Sequence, residues 1–127
     1  MVRAVSASLG ILLVAGVFAT PALAGGPSEV GYRQGALGVS AISAADYRTA
    51  EAQLNRMDGV AAGDPLRLIN LGNVYAGTGR MFDAEKAYVA ALNAESVDVL
   101  TADGAETNTH AVARKALGRV RAVVAAR

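Results

Sequence analysis

The sequence predicts an all-α fold: two helix hairpins stacked as a short solenoid, closed by a C-terminal capping helix. Three observations carry that expectation. Leu68, Leu71, Gly72 and Tyr75 recur at helical spacing, and so do Met81, Ala84, Ala87, Tyr88, Ala91 and Leu92. An offset of 34 residues lays Leu37-Gly38 on Leu71-Gly72 and Ala50-Glu51 on Ala84-Glu85. Aromatic residues are 5% of the chain while alanine, leucine and valine abound, which suits packed helices better than strands.

Residues 1–24 are expected to stand apart from the fold as a signal peptide. Arg3 is a positive n-region, Leu9 to Ala19 an apolar h-region, and Ala22-Leu23-Ala24 an A-x-A cleavage signal. A retained membrane anchor is the competing reading, because no charge interrupts residues 4–24. The strongly apolar run is short for a span of about 20 residues. Cleavage would leave a chain with no membrane span, in the periplasm or secreted. Residues 25–30, GGPSEV, are small and polar and read as a disordered N-terminal segment.

Two repeat units are expected at 31–64 and 65–98. The second is the clearer. Asp64-Pro65 is a helix start, an N-cap followed by a proline where no N–H is needed. Gly77-Thr78-Gly79 stops that helix. Asp83 and Glu85 then sit near the positive N-terminal end of the next helix. A short connection between two such helices makes an antiparallel hairpin. Small residues at Gly72 and Ala84 let the backbones approach. Residues 99–127 are a connecting turn and the capping helix. A small β-hairpin at 97–107, turning at Asp103-Gly104, is an added expectation. From Thr109 the chain is helical again, with Val112, Ala116, Val120 and Val123 on one face and His110 exposed in the first turn.

The segment from Asp64 to Glu95 resembles a tetratricopeptide repeat. The residues that carry the likeness are Leu68, Leu71, Gly72, Tyr75, Gly79, Ala84, Tyr88 and Ala91. Ser96 replaces the usual closing proline, and 31–64 is a degenerate copy with Ala41 and Met57 at signature positions. The resemblance implies a non-enzymatic interaction module or scaffold that binds a protein or peptide. The inner face of the first helix implied as a groove is Leu66, Ile69, Asn73 and Ala76. Ile69 stands where the family's carboxylate clamp carries lysine, and Leu66 and Ile69 have a second reading as packing residues against the preceding repeat. Two repeats plus a cap are few for an array that usually needs about three, so self-association as a homo-oligomer is a second expectation.

Other chemistry finds little support. LGNVYAGTGR, Leu71 to Arg80, approaches the glycine spacing of a phosphate loop, but Thr78 stands where the lysine belongs and the preceding residues read as helix. With one histidine and no cysteine, a metal site would rest on carboxylates, and Asp98, Asp103 and Glu106 miss the calcium-loop spacing. No nucleophile–base set can be nominated, so an enzyme is not expected; a small cell-envelope hydrolase is the rival from another class. Asp46, Glu51, Asp83 and Glu85 read as helix-start acids rather than catalytic pairs. No cofactor is expected. Twelve basic against eleven acidic residues give no general reason to expect nucleic acid. Five basic residues follow position 113 with no acid among them, a pattern that fits either a solvated helix end or contact with an anionic surface.

Overall fold

A computed structural model describes residues 31–101 and 103–127. The expected signal peptide and N-terminal segment lie outside these residues. The described chain is mostly helical, with one two-stranded ribbon. The order is α1 (Val39–Ser43), α2 (Tyr47–Arg56), α3 (Pro65–Gly77), α4 (Met81–Asn93), β1 (Asp98–Leu100), β2 (Glu106–Asn108) and α5 (Thr109–Ala125). No helix among the described residues is long and apolar enough to cross a membrane.

The helix starts follow from capping. Asp64 accepts hydrogen bonds from the backbone N–H of Leu66 and Arg67, with Pro65 at the first helical position. Asp46 caps α2 through Thr49 N–H, and Asn108 caps α5 through Ala111 N–H. α3 ends as expected at Gly77, and Gly79 supplies the left-handed residue (φ 80°) of the turn into α4.

α3 is the central helix. It packs along α4, and α4 packs along α5, while α1 and α2 also pack against α3. Leu71 and Val74 join Ala41, Ile42, Ala50, Leu54 and Ala87 in one apolar cluster. Ile69 joins Ala84, Tyr88, Ala91, Ala113, Leu117 and Val120 in a second. A third gathers Ala36, Leu37, Val39, Val60, Leu66 and Val99 at the start of α3. Gly72 belongs to the close approach expected of it: a Cβ there would lie 2.4 Å from the Tyr88 ring.

Several expectations are corrected. The first helix of the first unit is only five residues long, because Gly31, Gly35 and Gly38 all take positive φ and keep the chain in turns before Val39. α2 stops at Arg56, so Met57, expected to match Ala91, is a left-handed C-cap and 45% exposed. Gly77 is a packing residue rather than a turn residue: a Cβ there would lie 2.3 Å from the Tyr47 ring. The buried face of α5 is Thr109, Ala113, Leu117 and Val120, flanked by Val112, Ala116 and Val124, and Val123 is 42% exposed. His110 is half-buried, its Nε2 2.7 Å from the Ala94 carbonyl, which makes Nε2 the donor. The ribbon forms where expected but runs to Asn108, with Asp98 opposite Asn108 and Leu100 opposite Glu106.

Candidate functional site

The site begins with an unbroken chain of side-chain amides on α3. Asn70 is 3% exposed and donates from Nδ2 to the Leu37 carbonyl at 2.9 Å. Asn73, one turn on, donates from Nδ2 to Asn70 Oδ1 at 3.4 Å. The Tyr88 hydroxyl, reaching up from α4, donates to Asn73 Oδ1 at 2.7 Å. These bonds satisfy polar groups that would otherwise be costly to bury. They also fix the orientation of the Asn73 amide, whose nitrogen retains a second N–H.

Asn73 and Ala76 are half-buried and accessible on this face of α3. Leu66 and Ile69 are not: they are 6% and 2% exposed, so neither is open to a ligand. Leu66 packs with Ala36, Leu37, Val39 and Val60 of the preceding unit and with Val99 beyond α4. Ile69 lies instead in the cluster formed with Ala84, Tyr88 and Ala91 of α4 and Ala113, Leu117 and Val120 of α5. α5 also brings a residue that the sequence did not connect with the groove. Arg119 is exposed and close enough to act on Tyr88: burial pushes the Tyr88 phenol up, and the Arg119 cation offsets part of that rise. The accessible part of the expected groove is thus Asn73 and Ala76, with Arg119 acting on the Tyr88 hydroxyl that bonds Asn73.

Of the remaining signature residues, Leu71, Gly72, Ala84, Tyr88 and Ala91 are buried, Leu68 and Tyr75 half-buried, and Gly79 exposed in its turn. The Tyr75 ring lies under Arg80, whose guanidinium carbon is 4.3 Å from the ring centre. Arg80 also pairs with Glu51 at 2.9 Å and lies 3.8 Å from Asp83. Each candidate carboxylate has a structural partner: Asp46 caps α2, Glu51 and Asp83 share Arg80, and Glu85 pairs with Arg121 at 2.8 Å. Asp103 accepts a hydrogen bond from the Thr101 hydroxyl within the ribbon turn. No group of three or more potential metal-binding side chains converges among the described residues.

One buried cation escaped the sequence reading. Arg67 is 8% exposed and donates from Nε to the Leu54 carbonyl at 2.9 Å and from Nη1 to the Ala62 carbonyl at 3.0 Å. Leu54 O lies near the negative end of α2, so the helix dipole favours the charge there. Its role is to tie α3 to the end of α2, not to meet a ligand. No family model matches this chain, and no curated protein or solved structure matches it either.

Proposed function

We propose that this protein is an exported, non-enzymatic interaction module of tetratricopeptide-like build, whose α3–α5 face binds a peptide or protein partner. The observation that carries the reading is the oriented Asn73 amide, held by Tyr88 and Asn70 and half-buried on α3; the Arg119 cation acts on the same Tyr88 phenol. An amide with a spare N–H, next to a cation and an alanine surface, is suited to an extended backbone and its polar groups. The repeat character is supported by the 34-residue echo in structure as well as sequence. Ala50 and Ala84 are both 0% exposed, and Leu54 and Tyr88 are 0% and 2% exposed.

Export to the periplasm of a Gram-negative bacterium rests on the A-x-A signal at Ala22-Leu23-Ala24. N-terminal sequencing of the exported protein should read from Gly25; a mature chain that starts at Met1 and floats with membranes sinks this part of the reading.

The interaction reading is tested by affinity capture from the periplasmic fraction followed by mass spectrometry. A partner enriched by the parent protein and lost with both Asn73→Ala and Arg119→Glu supports the proposed face. A partner retained equally by both folded variants overturns it.

A further inference from the structure

The dipeptide Leu117-Gly118 in α5 repeats one that the fold has used twice. At Leu37-Gly38, a Cβ on Gly38 would lie 3.2 Å from the Ala50 carbonyl oxygen and 3.3 Å from its Cα, so the backbone of α2 crosses at that glycine. At Leu71-Gly72, a Cβ on Gly72 would meet Tyr88 at 2.4 Å, so α4 crosses there. At Gly118 a Cβ would meet nothing within 4 Å.

The likeness of α5 to α3 extends beyond the dipeptide. α3 buries Arg67, Asn70, Leu71 and Val74 on the side of α1 and α2. An offset of 46 residues places Ala113, Ala116, Leu117 and Val120 at those positions, and all four lie in the cluster shared with α4. α5 thus lies on the preceding hairpin by the same register that α3 uses. The side on which α3 receives α4 is, in α5, uncovered among the described residues.

We propose that this uncovered face of α5 is a docking surface for an acidic helix of a partner protein. Its shape favours a helix. Gly118 is a notch, and Ala122 and Ala125, one and two turns on, are small and exposed, so a second helix can approach closely and seat one bulky side chain over Gly118. Its charge selects an acidic one. Where α3 offers Leu68 and Tyr75 to α4, the same offset places Arg114 and Arg121 in α5. Both are exposed, α5 contains no acid, and among the described residues Arg121 has one ion pair, with Glu85. Carboxylates one turn to either side of the seated residue would meet these cations. The alanine-lined centre has no bulky apolar side chain to insert into a lipid surface. Two copies of α5 face to face would set cations against cations. This surface is separate from the Asn73 face and stands whether or not that face binds a peptide.

The test uses the full chain and a capped, alanine-based helical peptide of about 20 residues, with a central tyrosine and glutamates one turn to either side. Fluorescence anisotropy of the labelled peptide at low salt should show saturable binding. Gly118→Leu, whose Cβ would meet nothing within 4 Å, and Arg114→Glu should each weaken it by about tenfold or more. A peptide with alanine for the tyrosine should bind weakly as well. Melting curves confirm that both variants remain folded. Absence of binding, or equal binding by folded Gly118→Leu, overturns the proposal. Two further outcomes also overturn it. Self-association of the protein alone that Gly118→Leu abolishes assigns the face to a second copy. Sedimentation with phosphatidylglycerol vesicles that Arg114→Glu abolishes assigns it to lipid.

Discussion

Ala45 and Gly79 hold the same position in two helix-ending turns 34 residues apart. In the first turn, Asp46 N–H bonds to the Ala41 carbonyl and Ala45 N–H to that of Ile42; in the second, Arg80 N–H bonds to Tyr75 and Gly79 N–H to Ala76. Both residues are left-handed, with φ 58° at Ala45 and 80° at Gly79. An L-residue with a Cβ pays about 1–2 kcal/mol in that region, partly offset because glycine gives the unfolded chain more freedom. Ala45→Gly should therefore stabilise the protein by roughly 0.5–1 kcal/mol. Gly79→Ala should destabilise it by about 1 kcal/mol. Urea midpoints of the two variants check this, and a lowered midpoint for Ala45→Gly contradicts the turn assignment.

Gly72 and Gly118 are both interior helix glycines with opposite surroundings. Alanine at either gains up to about 1 kcal/mol of helix propensity. At Gly72 the added methyl collides with the buried Tyr88 ring, which is held by its bond to Asn73. Gly72→Ala should lower stability by roughly 1–3 kcal/mol net, whereas Gly118→Ala should raise it by roughly 0.5–1 kcal/mol. Thermal melts with the same sign for both would show that α4 does not cross at Gly72.

Ala84 on α4 is 0% exposed, in the cluster that α4 shares with α3 and α5. Ala84→Glu places a carboxylate in this buried apolar cluster, so a loss of about 3 kcal/mol or more is expected. A variant that melts within a degree or two of the parent is incompatible with this packing.

α5 covers Tyr88, Ala84 and Ala91 with Leu117, Val120 and their neighbours. That burial contributes on the order of 5 kcal/mol, a large part of the stability of so small a domain. Truncation before Thr109 should unfold the chain or make it self-associate through the exposed side of α4. Light scattering across a concentration series, with melting curves, separates these outcomes from a stable monomer, which would mean that α5 is not a cap.

Hydrogen bonds from Thr49 hold the Asp46 carboxyl below the usual carboxylate range. A carboxyl with a lowered folded-state pKa contributes stability above its unfolded-state pKa, and the contribution is lost as pH falls through the lower, folded value. The stability gap between the parent and Asp46→Asn should thus be full at neutral pH and close only in acid. A gap that widens on acidification would show that the cap does not depend on the charged form.

What the sequence determined by itself is local. Asp64-Pro65 starts α3 and Gly79 turns the chain because capping and left-handed φ are settled by a few neighbouring residues. The ribbon at Asp98–Asn108 was legible for the same reason, from β-branched residues around Asp103-Gly104. Helical periodicity likewise placed α4 and α5. Tertiary structure decided the rest. Nothing near Arg67 in sequence tells that its guanidinium will be buried, because its acceptor at Leu54 comes from another helix. Gly77 looked like half of a turn until Tyr47 packed against it. Ile69 reads as a groove residue, yet it is buried in the cluster that α5 joins, and Arg119 acts on Tyr88 only because α5 packs against α4. A helix face is assigned by what lies on it, and which distant helix lies there depends on the summed packing of all three clusters, not on the spacing within one.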